Sequence, residues 1–259
     1  MRTTIALVFL ILMVPPAAAR QLEGPVLWAD SARRAIETAY VEGDVDALVA
    51  ARAIAERALA RWPEDPLLLH YTGYAYYREA TLRQGAGGTD NVDALLDAAQ
   101  ESLEASAERH TLAETTALLS AVLGQKIGSN MIRGMTLGPR SGSLMDEAVR
   151  LGPENPRVWL MRGISAIFTP GMFGGGLDKA EDYLRQAIAL FERDDPQPPA
   201  PAWGNGEAWL WLGQVFERRK DDVEALRAYR TALEIEPENQ WLKEVLVPAT
   251  ERRIRENRE

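Results

Sequence analysis

EAWLWLGQVFERRKDDVEALRAYRTALEIEPEN, residues 207–239, reads as two amphipathic helices joined by a charged turn. Apolar residues recur three and four apart on each half, so each helix carries one face that must leave water. Small Gly213 and Ala232 stand where the two helices have to approach closely. A single pair of this kind cannot hide its own apolar face and needs neighbours stacked against it.

Those neighbours lie upstream. Leu69, Gly73 and Tyr76 take the places of Trp209, Gly213 and Phe216 in a helix opened by PEDP at 63–66. Trp159 and Gly163 take them again after PENP at 153–156, and PENQ follows the last pair at 237–240. Two further units are recognisable by position. Residues 26–40 and 45–62 have helical periodicity, and so do 112–123 and 144–151. Between the last two, GQKIGSNMIRGMTLGPRSGS at 124–143 is rich in glycine and reads as irregular.

Trp209, Leu212, Gly213, Phe216, Ala225, Tyr229, Ala232 and Pro237 fall at the eight signature places of the tetratricopeptide repeat, which the chain resembles over roughly residues 26–256. The expected fold is all-α: a right-handed, tetratricopeptide-like α-solenoid of about five helix pairs with a C-terminal capping helix. The units are placed at 26–63, 64–109, 110–153, 154–194 and 204–238, and the cap at 239–256. The proline-rich run DDPQPPAPAWGNG at 194–206 cannot be helical, because proline lacks the donor and fixes φ, so it separates the fourth unit from the fifth. LGQKIG, LGPRS, NPRV, TPGMFGGG and WGNGEAWLWLG also resemble strings of secreted bacterial tetratricopeptide proteins. That resemblance implies a shared fold and location, and no known reaction.

The N-terminus carries Arg2, an apolar run at 5–14 and Ala17-Ala18-Ala19 before Arg20, the pattern of a cleaved secretory signal at 1–19 followed by a linker at 20–25. Ten apolar residues are too few to span a bilayer, so no stable membrane insertion is expected after cleavage near Ala19. A periplasmic or secreted protein is the expectation. With 38 acidic against 29 basic residues, the net charge of -9 disfavours nucleic acid as a partner. The absence of cysteine removes disulfides and thiolate chemistry, and two histidines, His70 and His110, are a poor basis for a metal site. The glycine runs near 85–88 and 174–176 lack the spacing of a phosphate-cradling loop. Neither catalytic residues nor a cofactor nor a metal is assigned, and the chain is not expected to be an enzyme.

Binding is the expected activity, with a protein or peptide as partner. In tetratricopeptide arrays the first helix of each pair lines a concave groove. Carried onto this sequence, the groove presents His70, Tyr74, Tyr77 and Arg78, then Leu160, Ile164 and Phe168, then Leu210, Gln214 and Arg218. Such a lining is apolar and aromatic with cationic edges, suited to an extended or helical peptide. A second surface is a rim of long turns. Residues 125–143 hold Lys126, Arg133 and Arg140 with no acidic residue, and Gly174, Gly175 and Gly176 on the neighbouring turn expose backbone, a candidate anion site. The leading expectation is an envelope scaffold that binds in the groove. The alternative is a ligand-binding accessory of an envelope transport system, which a sealed chamber among the helices would favour.

Overall fold

The computed structural model describes residues 24–88, 91–128 and 130–257, so the expected signal segment and its cleavage point lie outside the described residues. Among the described residues there are eleven α-helices and no strand. They are α1 (Pro25–Glu42), α2 (Val45–Leu59), α3 (Pro66–Gly85), α4 (Val92–Arg109), α5 (Ala113–Ile127) and α6 (Met131–Leu151). Then come α7 (Pro156–Phe168), α8 (Leu177–Phe191), α9 (Asn205–Arg218), α10 (Asp222–Ile235) and α11 (Val247–Glu256). Consecutive helices pack as antiparallel pairs, from α1 with α2 to α9 with α10, and each first helix also touches the first helix of the next pair. The chain is thus an all-α solenoid of the tetratricopeptide type.

The repeated motifs have a local mechanism. In PEDP and PENP, Asp65 and Asn155 accept hydrogen bonds from the first free N–H groups of α3 and α7, while Pro66 and Pro156 occupy the first turn, where no donor is needed. The Asn239 side chain of PENQ accepts from the Leu242 N–H in the same way. The shared glycine sets how closely each pair packs. A methyl group at Gly213 would lie 2.3 Å from Tyr229 Cε1, at Gly163 2.7 Å from Leu184 Cγ, and at Gly73 2.6 Å from Leu103 Cγ. Three units therefore repeat one contact, first-helix glycine against a large second-helix side chain.

The third unit differs from its sequence reading. Residues 131–143 are not irregular but form the first part of α6, with Pro139 inside the helix. Asn130 caps the start by accepting from the Ile132 and Arg133 N–H groups. Small residues then let α6 lie close on α5: Ser120 Oγ donates to the Ser141 carbonyl at 2.8 Å and Ser141 Oγ to the Ser120 carbonyl at 2.9 Å. Packing over a small-residue face has overridden poor local propensity. The run TLRQGAGGTDN at 81–91 reads as a long turn, but α3 continues through its first five residues to Gly85.

At the C-terminus, a π-helical turn at Trp241–Leu246 leads into α11. Pro248 removes a donor from the ladder there, and the widened turn accommodates it. Leu242 and Leu246 are buried against the solenoid end, while α11 presents charge to water. No helix among the described residues is long and apolar enough to cross a membrane.

Candidate functional site

The side chains expected to line the first half of the groove are placed on α3, but they do not face open solvent. His70, Tyr74, Tyr77 and Arg78 are all buried, together with Leu160 on α7 and Leu210 on α9. What covers α3 is the chain itself. The proline-rich segment between α8 and α9 crosses the concave face instead of merely separating two units. Having no helical ladder, its carbonyls and amides are free to bond to side chains, and the groove supplies them.

The contacts run in order along this strap. Arg157, buried at the start of α7, donates from Nη1 and Nη2 to the Asp194 carboxylate at 3.2 and 2.6 Å. Tyr71 Oη donates to the Pro199 carbonyl. The Glu37 carboxylate on α1, held by Arg33 at 2.9 Å, lies near the backbone of Ala202. Trp203 stacks on Tyr74 with ring centroids 5.3 Å apart, and Tyr74 in turn lies parallel to His70. Gly204 follows at φ 109°, where a methyl group would meet Leu160 Cδ2 at 2.7 Å, so both conformation and space demand glycine.

Arg78 and Glu207 close the strap. Nη1 and Nη2 of Arg78 bond Oε1 and Oε2 of Glu207 at 2.8 and 2.6 Å, a bidentate pair buried on both sides. The guanidinium also lies 3.9 Å from the ring centroid of Tyr40, 4.9 Å from Tyr74 and 5.2 Å from Trp203. An aromatic cage and a carboxylate thus replace the water this cation gives up. Tyr40 on α1, Arg78 on α3 and Glu207 on α9 tie the first unit to the last.

Burial governs protonation around this centre. His70 Nδ1 and Thr115 Oγ1 share a hydrogen bond at 2.8 Å, and the pKa of the ring falls to about 3 because the cation would be desolvated. Burial pushes the Tyr77 hydroxyl up to about 12 and raises the Glu37 and Glu236 carboxyls above the usual range. A histidine depressed on folding contributes stability above its unfolded pKa, near 6.5, and loses it as pH falls toward 3. Between pH 7 and pH 5 this loss is about 2 kcal/mol. Glu37 and Glu236 act in the opposite sense, since the folded state takes up their protons first. Urea melts at pH 7 and pH 5 should show the drop, and a His70→Gln variant should abolish most of it. An equal slope in both proteins would remove His70 as its source.

The second half of the expected groove differs. Ile164 is half-buried, and Gln214 Nε2 donates to Tyr229 Oη at 2.9 Å within its own unit. Phe168 and Arg218, the last residues of α7 and α9, are exposed side by side, with the guanidinium 4.9 Å from the ring centroid. Phe168 is 60% exposed and meets half-buried Trp211 edge-on at 5.8 Å. On the adjoining turn, Met172 and Phe173 are 85% and 72% exposed.

The rim is corrected throughout. Lys126 Nζ reaches Asp97 at 2.6 Å, Arg133 pairs with Asp93 at 3.2 Å and Arg140 with Glu104 at 2.5 Å, so one face of α4 neutralises all three cations. The N–H groups of Gly174, Gly175 and Gly176 bond to the carbonyls of Gly171, Pro170 and Ala166. They relieve a tight turn and offer no backbone cradle to an anion. Sequence reading missed Glu37, Tyr40, Tyr71, Trp203, Met172 and Phe173. A tryptophan isolated in a proline-rich run, and an arginine on the inner face of an aromatic helix, were the available signals. No group of histidine, aspartate or glutamate side chains that could hold a metal ion occurs among the described residues.

No protein-family model and no curated protein matches the sequence. Solved structures do match in fold. TTC0263, a tetratricopeptide protein of Thermus thermophilus, is 24% identical over 86% of this chain and 98% of its own, with a TM-score of 0.58. HusA, a haemophore from Porphyromonas gingivalis, is 22% identical over 70% of this chain and 94% of its own, with a TM-score of 0.57. Cut9, solved in a hetero-tetramer with Hcn1, is 14% identical over 93% of this chain and 38% of its own, at 0.55. Together with the repeated glycine contact and the stacked pairs, these likenesses identify the chain as having the tetratricopeptide-repeat fold.

Proposed function

We propose that the protein is a non-catalytic adaptor of the bacterial cell envelope, exported by its leader, that binds a protein or peptide partner at the open end of its concave face. The observation that carries this reading is Phe168. A large aromatic side chain is left mostly in solvent, with Trp211 at its edge and Arg218 beside its ring. Aromatic and arginine anchors dominate protein interfaces, and the exposed Met172 and Phe173 extend the apolar area around it.

The accessory-protein reading draws less support. It calls for an enclosed chamber, whereas the groove of about 680 Å³ between α1 and α2 is an open surface lined largely by alanine. The negative charge supports a role without nucleic acid, and the leader pattern supports export.

The test is capture of partners from the envelope fraction with the parent and with a Phe168→Ala, Phe173→Ala variant. Truncating buried anchors costs on the order of 2 kcal/mol each, so retention of the partner should fall at least thirtyfold while helicity is unchanged. A Val223→Ala variant, altered on another exposed patch, serves as the control. Intact mass of the exported bait is expected to correspond to a chain beginning at Arg20. Equal capture by all three proteins would place the partner elsewhere, and a mass including residues 1–19 would remove the exported-leader part of the reading.

A further inference from the structure

We propose that residues 199–204 are a built-in competitor for the concave face: a non-helical, proline-rich segment with an aromatic anchor, secured at its end by the Glu207 carboxylate on α9, which holds α3 closed until an external proline-rich segment with an aromatic anchor replaces it. This inference does not depend on the Phe168 surface.

The strap is bound as a ligand is bound. Tyr71 recognises a backbone carbonyl, Tyr74 stacks on an indole, and Arg78 grips the Glu207 carboxylate, in the first turn of α9 where the strap ends, through a bidentate pair. Aromatic rings combined with side-chain groups that read main-chain polar atoms are how proline-rich strands are recognised generally. Core packing within these tetratricopeptide units looks different. It uses glycine, alanine and leucine, as in the Gly73–Leu103 and Gly163–Leu184 contacts.

The strap is also an incomplete occupant. Only Pro201, Trp203 and Gly204 among residues 195–204 are buried, while Asp195, Gln197 and Pro198 are exposed. Three polar atoms in the stack go unmatched: His70 Nε2, Tyr74 Oη and Trp203 Nε1, all buried without a hydrogen-bond partner. Buried indole and imidazole nitrogens ordinarily find partners, and leaving them unmet is costly. An external segment that supplies an acceptor to His70 Nε2, with that ring nitrogen protonated, gains what the strap forgoes. Competition therefore favours a better-matched strand over the tethered one, although the tether gives the strap a high effective concentration.

The experiment uses a fluorescent peptide with the sequence of residues 195–207, titrated against the full chain by anisotropy. The comparison is a full-chain variant carrying Pro199→Ser, Pro201→Ser and Trp203→Ser, which keeps Glu207 so that Arg78 is not stranded. The variant is expected to bind the peptide at least tenfold more tightly than the parent, at matching helicity. Equally weak binding by a folded variant would overturn the proposal. A second measurement needs no variant: native-state hydrogen exchange on the parent. The amides of residues 202–204 are expected to exchange at least tenfold faster than those in the middle of α3, through local opening of the strap. Exchange of both sets only in the global unfolding event would also overturn it, whether or not the variant folds.

Discussion

Glu207→Ala is expected to destabilise the protein by about 3–5 kcal/mol, the cost of leaving a buried cation without its counter-charge. Arg78 is buried and held by two short hydrogen bonds to Glu207, and no second carboxylate bonds its guanidinium. Aromatic rings around the guanidinium soften the loss but cannot accept its N–H bonds in the plane. The sign of the effect is diagnostic when both partners are removed together. Replacing Arg78 with Met and Glu207 with Leu should recover much of the stability, because two apolar side chains owe nothing to lost hydration. Denaturant melts of the parent, the single and the double variant form the check. A single variant within about 1 kcal/mol of the parent would mean that the pair is not buried in solution. Because Glu207 links α9 to α3 and α1, the single variant should also lose cooperativity, unfolding in stages as an unclosed solenoid does.

Gly213→Val should cost about 3 kcal/mol, near the top of the range for overpacking. The added Cβ would sit 2.3 Å from Tyr229 Cε1, and that ring cannot retreat easily. Tyr229 is buried, and its hydroxyl is fixed between Gln214 at 2.9 Å and Glu217 at 2.6 Å. Either α9 and α10 separate or the Tyr229 hydrogen bonds break. A lowered melting midpoint, reversed in part by Tyr229→Leu in the same chain, is the expected result. No reversal would show that the clash is taken up by the backbone.

Much of the architecture was legible because its causes are local. Glycine at 73, 163 and 213, and the Asp or Asn caps followed by proline at 65–66 and 155–156, act within one or two turns of their own helix pair. A periodic apolar face can be read wherever it occurs, and its need for a neighbour follows directly. The stretch at 124–143 was misread for the converse reason. Its glycines, serines and proline argue against a helix until α5 is placed beside them, and only then does the Ser120–Ser141 exchange of hydrogen bonds supply the missing stabilisation.

The candidate site divides along the same line. That Phe168 and Arg218 stand on the inner helices was deducible from repeat register, and the structure sets them side by side. That Lys126, Arg133 and Arg140 are already paired was not, because their partners lie on α4, some 29 to 40 residues earlier. Sequence by itself determined that the chain is built of stacked helix pairs and that most of the run 194–206 is not helical, although Asn205 and Gly206 open α9. Only the tertiary structure decided what that proline-rich segment does. Its carbonyls and its tryptophan have no partner within reach along the chain, so their place is set by Tyr71, Tyr74 and Arg78, about 130 residues away, which become available only once the solenoid has curved to bring α3 and α9 together.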